Sequence, residues 1–504
     1  MIVGVIFSRI SPSSIFNGSN MISRAFYLSG LLIFLFYTCK IYFKKGFQRI
    51  EPELIILSVW LFSTVIAGRA AARIFFVITP FFCFCTGYFI VKMFHHYKNR
   101  EESIKFFIAM GIIITIVLSI FSLSLFFNVI NGQAKYTGLS ANPQWQGAMG
   151  WVRDNTPERS LFVHWWDYGY WVQYLGERPT VTDGGHFNSY WDYIIGRYLL
   201  TTPYPETALS YMKTLNVSYL LIDPTDIGKY PAYSSIGNDN NYDRTSGIIP
   251  MIYNAKQTTE TSTTETRIYQ GTYGVDEDTL LNINGSDIFI PGPDYNEKNA
   301  PLFNAYIIGV ILDIKTNDSS IQQPIGVFMY NGQQYRLPLR YLYSNKVLYD
   351  FKTGIESGVK LIPKVDQTGS ETNVEKNGAL IYLSRRTFNS LVGQLYLMND
   401  PQGLYPGVTL VHSEDNFVTT ALKSYYPTIE EFVYYNGIQG PIKIWEINVS
   451  DDILVRNEFL KTSGGYGDYD NLQFVSSEDN CDCENLTGSE WSKCIFNGGN
   501  GCVF

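Results

Sequence analysis

The first fifty residues contain no aspartate or glutamate, and through residue 130 only Glu51, Glu53, Glu101 and Glu102 occur. The same stretch carries 12 Lys and Arg, so it is basic by eight charges although the whole chain is acidic by eight. The rest, with 26 Lys and Arg against 42 Asp and Glu, is acidic by sixteen. The acidic body argues against nucleic acid as a partner. Met1–Met21 lacks the basic end, apolar core and cleavage site of a signal peptide. No repeat of fixed period is present. Cysteine is scarce, seven in 504 residues. Cys39, Cys83 and Cys85 sit in apolar runs, where they read as fillers. Cys481, Cys483, Cys494 and Cys502 crowd the C-terminal end. Their even number favours two disulfides, with metal binding as the alternative, although the spacing is not that of a standard zinc site.

What is abundant is apolar and aromatic. Four apolar stretches, at roughly 26–43, 53–67, 70–94 and 105–128, approach the length needed to span about 30 Å of hydrocarbon. The segments between the first and second and between the third and fourth carry Lys40, Lys44, Lys45 and Arg49, then Lys92, Lys98, Arg100 and Lys105. The positive-inside rule puts both in the cytoplasm and everything beyond residue 130 outside. The expected architecture is a multi-domain membrane protein with about four transmembrane helices (1–130). An external mixed α/β domain (131–250), β-rich accessory domains (251–480) and a cysteine-containing tail (481–504) follow.

Within 131–250 the pattern predicts a short helix over 141–153, strands at Leu161–His164, Pro179–Thr182 and Val217–Ile222, and helices over 189–200 and 205–214. The Thr-rich stretch 258–266 reads as an exposed loop or linker. Farther on, Asn331-Gly332 between aromatic and β-favouring residues predicts a hairpin. Strands are also expected at 304–314, 336–343, 379–383, 408–412 and 442–447.

The most informative run is Trp165-Trp166-Asp167-Tyr168-Gly169-Tyr170-Trp171. An indole N–H only donates, a carboxylate only accepts, and a hydroxyl does both. Two adjacent indoles and one carboxylate can therefore saturate one hydroxyl group. Such a pocket distinguishes Ser or Thr from Ala, because a missing hydroxyl strands buried polar groups at about 1–3 kcal/mol each. A second run, Asp226-Ile-Gly-Lys229-Tyr-Pro231-Ala-Tyr233-Ser-Ser-Ile236, taken alone reads as an exposed helical ion pair, and Pro231 is expected to interrupt its helix.

The Trp-Trp-Asp-Tyr-Gly string resembles the signature of the oligosaccharyltransferase catalytic subunit. With Tyr170-Trp171 and Thr182-Asp183-Gly184-Gly185-His186-Phe187-Asn188, it is most similar to the archaeal dolichyl-phosphooligosaccharide–protein glycotransferases. The resemblance covers roughly residues 1–240. It implies N-linked glycosylation, the transfer of a dolichyl-(pyro)phosphate-linked oligosaccharide to Asn of an Asn-x-Ser/Thr acceptor polypeptide. Trp165, Trp166, Asp167, Lys229 and Ile236 are implied to bind the acceptor, with Tyr168, Gly169 and Asp226 in support. Tyr233 departs from the family pattern, which has an apolar residue there. Arg73, with Arg69 as competitor, is implied to meet the lipid donor; a simple interfacial anchor is the other reading. The family also implies Mg²⁺ or Mn²⁺, a cation that needs oxygen ligands, typically carboxylates. None lies on the outer side of the four apolar stretches, so no catalytic or metal-binding residue is assigned in this chain. The expectation is a C-terminal portion completed by an upstream catalytic membrane chain. The competing readings are a non-catalytic sequon-binding accessory subunit and a membrane-anchored structural surface protein whose aromatic cluster is core. His164 and His186 flank the motif, and a structural role is the simpler reading of each.

Overall fold

The computed structural model describes residues 20–45, 52–68, 75–98, 101–137, 139–186, 188–283, 285–296, 301–368, 371–427 and 429–461. Arg69, Arg73 and the cysteines beyond residue 480 lie outside them. The chain divides into two compact units, Met1–Gly138 and Leu139–Phe504.

The first unit is helical: Met21–Lys45, Pro52–Gly68, Phe75–Lys98 and Glu102–Thr137 cover the four apolar stretches. Two segments, Met21–Lys40 and Ile104–Lys135, are long and apolar enough to cross a membrane. Phe36, Phe107, Ile113 and Leu118 are more than half exposed, so these helices are apolar on the faces that the unit itself does not cover. Trp60 meets Phe81 edge to face at 6.0 Å, linking the second helix to the third.

The second unit is built on two main sheets, with two further two-stranded pairings beside them. The smaller has four strands in the order Phe162–Val163, Tyr219–Ile222, Ile442–Ile447, Val408–Glu414. Its first pair is parallel and the others antiparallel. The centre of this sheet is apolar: Phe162, Val163, Leu220, Leu221, Ile222 and Ile444 are fully buried. An α/β layer contained in 131–250 was the expectation; instead two of its four strands return from 408–447. Pairings so remote in sequence leave no local periodicity to read. Helices Pro143–Asn155, Ser189–Ile194 and Pro205–Thr214 form as expected, the second continuing as a π-helical turn through Ile195–Leu200. The expected strand at Pro179–Thr182 reduces to a single bridge, Phe162 to Thr180, because the chain turns away at Asp183 to follow the aromatic motif.

The larger sheet begins at Ile249–Tyr253 and closes on itself. Gln333–Ser344, Ile325–Tyr330, Ala305–Lys315, Thr264–Gly274, Ile249–Tyr253, Glu371–Leu383 and Ile355–Thr368 neighbour one another in turn, and the last pairs back onto the first in parallel. The result is a barrel, which removes exposed edges along most of its length. Asn331 and Gly332 both take positive φ (49° and 73°), the geometry of a type I′ hairpin turn. The Thr-rich stretch is not a free loop: Thr259–Glu260 pairs with Thr264–Gly274 as a hairpin. β-branched threonine suits a pleated strand as well as it suits a loop.

Candidate functional site

Two parallel neighbouring strands end side by side, and their C-terminal ends build the site. Phe162–Val163 leads through His164 and Trp165 into a 3₁₀ turn, Trp166–Tyr168, and the short helix Gly169–Tyr174. Tyr219–Ile222 leads through Asp223 and Pro224 into the helix Thr225–Ile236. Ligand sites commonly lie outside the carboxyl ends of adjacent parallel strands. Here that placement brings Trp165–Tyr168 against Asp223–Lys229 across some sixty residues of chain.

The start of the second helix is fixed by reciprocal capping. The Asp223 carboxylate accepts from the Thr225 backbone N–H at 2.7 Å, and the Asp226 carboxylate accepts from the Asp223 N–H at 3.1 Å. Each satisfies donors that a helix start leaves unpaired. The Tyr168 hydroxyl then donates to Asp226 at 2.7 Å and accepts from the Lys229 ammonium at 3.0 Å. Trp145, from the Pro143–Asn155 helix, donates its indole N–H to Asp223 at 2.9 Å and stacks on the Tyr168 ring at 5.0 Å. Asp226 thus points into the protein, and Lys229 forms its ion pair with Asp167, at 2.9 Å. Burial, reinforced by neighbouring Asp223, pushes the Asp226 carboxyl up to about 7. Burial likewise raises Asp223, and raises the Tyr168 phenol well above its ordinary range.

The other wall comes from the turn after Thr182. A Cβ on Gly169 would lie 2.4 Å from the Asp183 Cβ and 2.5 Å from the Thr182 carbonyl oxygen. Only glycine lets that turn approach the motif. The Asp183 carboxylate accepts from the Gly185 N–H at 2.7 Å and from Gln173 at 2.9 Å. His186 follows with φ of 47°, and its ring packs on Trp166 at 4.2 Å. His164 is fully buried, with Nδ1 2.7 Å from the Trp165 carbonyl. Burial pulls it down to about 4, so it stays neutral near pH 7.

Of the residues singled out in the sequence, Trp165, Trp166, Asp167, Tyr168, Gly169, Asp226 and Lys229 come together here. Trp165 is almost wholly buried against Tyr233 (5.5 Å between rings), while Trp166 and Asp167 remain partly open. Among the described residues, neither indole N–H of the pair has an acceptor, and neither is sealed from solvent. Ile236 ends the same helix seven residues after Lys229, on the same face, partly buried against the same core. The helix runs through Pro231 rather than breaking. The Tyr233 hydroxyl donates to the Asp226 carbonyl at 3.0 Å and so straps the turns on either side of the proline. Asp223, Trp145, Tyr233 and the His186–Asp192 pair were not legible as site residues. Of these, the sequence marks Tyr233, inside the Asp-x-x-Lys run, and His186, beside the aromatic motif and read as structural. Among the described residues, no group of three or more His, Cys, Asp or Glu is placed to hold a metal ion.

Residues 158–270 match the STT3/PglB/AglB core domain. A Pyrococcus furiosus protein named dolichyl-phosphooligosaccharide-protein glycotransferase 1 is 28% identical over 200 residues, 39% of this chain and 20% of that relative. The chain therefore aligns with a fifth of that relative's length. Two solved structures are similar at lower levels. One is the archaeal oligosaccharyltransferase AglB from Archaeoglobus fulgidus in complex with an inhibitory peptide and a dolichol-phosphate (13% identity, 78% of this chain and 43% of that one, TM-score 0.38). The other is the Archaeoglobus fulgidus oligosaccharyltransferase complex with Zn and sulfate (17% identity, 62% and 45%, TM-score 0.22). The resemblance drawn from Trp165–Gly169 is borne out: residues 158–270 match the STT3/PglB/AglB core domain, and the chain is similar to archaeal dolichyl-phosphooligosaccharide-protein glycotransferases.

Proposed function

We propose that this chain takes part in N-linked protein glycosylation and supplies recognition of the Asn-x-Ser/Thr acceptor. In this reading the indole N–H groups of Trp165 and Trp166 donate to the Ser/Thr hydroxyl and the Asp167 carboxylate accepts its proton. Lys229 holds Asp167 in place, and Ile236 meets the threonine methyl. Tyr168, Gly169 and Asp226 form the frame behind them. The observation that carries the reading is the pairing of two indole donors, without an acceptor among the described residues, with a carboxylate that Lys229 holds at 2.9 Å. An amide nitrogen is a poor nucleophile, so holding the acceptor in one orientation is itself a large part of such a reaction.

The further parts of the proposal follow from the family. The four helices of residues 1–130 span the cell membrane, the rest lies outside, and Arg73 contacts the dolichyl-(pyro)phosphate-linked donor. The domain divisions expected from the sequence belong to the same proposal, amended by the strands that return from 408–447. Mg²⁺ or Mn²⁺ would support leaving-group chemistry in the full enzyme. The described residues do not fit a metal site, so no step here runs through one; an upstream membrane chain is the implied partner. The test is binding of fluorescein-labelled Asn-x-Thr and Asn-x-Ala peptides to the full chain in detergent. Preference for the Thr peptide that survives Asp167→Ala would overturn the assignment.

A further inference from the structure

His186 is held from two sides. Its Nδ1 lies 2.7 Å from Oδ2 of Asp192, a carboxylate with only 9% of its side chain exposed on the helix Ser189–Ile194. Its ring centroid is 4.2 Å from that of Trp166, at a 63° tilt. The backbone at His186 is left-handed, a conformation few non-glycine residues adopt. It is fixed by the Asp183 turn, whose carbonyl accepts from the His186 N–H at 3.3 Å. The imidazole therefore bridges a buried carboxylate and the one indole of the pair that is still partly open.

We propose that His186 and Asp192 form a proton-dependent strut that positions the Trp166 indole and makes the hydroxyl selectivity of the pocket depend on pH. The role rests on the reading of this pocket as the acceptor site; the strut itself does not. Protonated, the imidazole is an ion-pair partner of Asp192, and a charge-assisted bond is shorter and stronger than a neutral one. Trp166 is then fixed with its N–H toward the hydroxyl. Neutral imidazole keeps the weaker bond and a looser indole. The charged groups around the strut are mostly carboxylates. Asp192 contacts it, and Asp183 from the same turn and Asp167 from the 3₁₀ turn act on that carboxylate. The nearby cation Lys229 is engaged by Asp167 at 2.9 Å. Burial raises the Asp192 carboxyl, and the bond to His186 counters that rise. His186 is a positioning residue in this scheme, acting on the acceptor through Trp166.

The experiment is a tryptophan-fluorescence titration of the full chain in detergent between about pH 5 and 8.5, the range in which histidine changes charge. Subtracting the Trp166→Phe protein isolates the Trp166 signal. The expected result is a step in the wild type that is absent in His186→Phe, which keeps the ring contact without a titrating group. In Asp192→Asn the step should change in size or position, since the charge-assisted bond to the carboxylate is gone. A step that persists in His186→Phe, or that Asp192→Asn leaves unchanged, would overturn the strut. Peptide binding then reads its consequence. The ratio of Asn-x-Thr to Asn-x-Ala affinity should fall about threefold or more from pH 5.5 to 8 in the wild type and stay flat in His186→Phe. A ratio insensitive to pH beside an intact step overturns the positioning role. A ratio of one at every pH sinks the acceptor reading while the fluorescence upholds the strut.

Discussion

Asp167→Ala separates a binding role from a structural one because the two have different magnitudes at this position. Asp167 and Lys229 are 2.9 Å apart, but their side chains keep 27% and 32% of their exposure. An ion pair that open to solvent contributes about 0–1 kcal/mol to stability. Lys229 also retains its bond to the Tyr168 hydroxyl at 3.0 Å and its place over the Tyr168 ring at 4.4 Å, so the ammonium is not stranded. The melting temperature of the variant should fall by no more than about 2–4 °C. A hydrogen bond from a bound hydroxyl to a carboxylate is worth about 1.5–3 kcal/mol, so affinity for an Asn-x-Thr peptide should fall roughly 10- to 100-fold. Affinity for Asn-x-Ala, which never made the bond, should be unchanged. The cycle of two peptides and two proteins isolates the coupling between Asp167 and the hydroxyl. Equal losses for both peptides, or none for either, would refute the reasoning. Asp167→Asn keeps one acceptor oxygen and should fall between the two.

Three other perturbations test the frame. Gly169→Ala forces a methyl to within 2.5 Å of the Thr182 carbonyl oxygen and the Asp183 Cα; it should cost about 1–3 kcal/mol in urea unfolding and weaken discrimination between the two peptides, and an unchanged unfolding midpoint would contradict the close approach. The Asp226 carboxyl, pushed up to about 7 by burial, holds its proton in the folded state at pH values where the unfolded chain has lost it. Stability should therefore fall as pH rises from about 4 to 7, and Asp226→Asn should flatten that part of the profile. His164, pulled down to about 4, contributes the opposite slope from about 4 to 6.5 in both proteins and cancels in the comparison. Lys443, fully buried, donates to the Tyr396 carbonyl at 2.9 Å, to Asn399 at 2.6 Å and to Glu431 at 2.8 Å. Lys443→Met should cost about 3 kcal/mol by removing the ion-pair partner of Glu431, which keeps its bond from Asn399 at 2.9 Å, and adding Glu431→Leu should recover most of it; no recovery would mean that the lysine's bonds to the two uncharged oxygens dominate.

The parts of this site that could be read from the sequence are those whose chemistry is contiguous. Trp165-Trp166-Asp167 declares two donors and an acceptor without any fold. The apolar strands on which it depends are also visible, because Phe162–Val163 and Tyr219–Ile222 are dense β-favouring runs bounded by polar turns. Their parallel pairing is not visible, and it is the pairing that delivers Lys229 to Asp167. The Asp-x-x-Lys run misleads for a physical reason. Three residues apart on a helix, its two charges suggest a mutual surface pair. Reciprocal capping instead turns Asp226 inward, where it is 1% exposed, and leaves Lys229 for another partner. The strands Val408–Glu414 and Ile442–Ile447 were expected as strands. Their membership of the same sheet as Phe162 leaves no trace in either segment.

The five letters of the motif therefore divide by role once the geometry is known. Trp165, Trp166 and Asp167 offer groups outward, whereas Tyr168 and Gly169 work inward. The Tyr168 hydroxyl sits between Asp226 at 2.7 Å and Lys229 at 3.0 Å, which fixes the helix start that presents Lys229. Gly169 admits the Asp183 turn, which in turn presents His186 to Trp166. Tyr168→Phe should then act differently from any change in the first three positions. It removes one of the two donors that Asp226 receives, leaving the Asp223 N–H, and strands one buried carboxyl oxygen at a cost of about 1–3 kcal/mol. It takes nothing directly from a bound hydroxyl, so both peptides should lose affinity together with their ratio unchanged. Fluorescence binding and urea unfolding on the same preparation read both quantities. A selective loss for the threonine peptide would place Tyr168 among the recognising residues and dissolve the division.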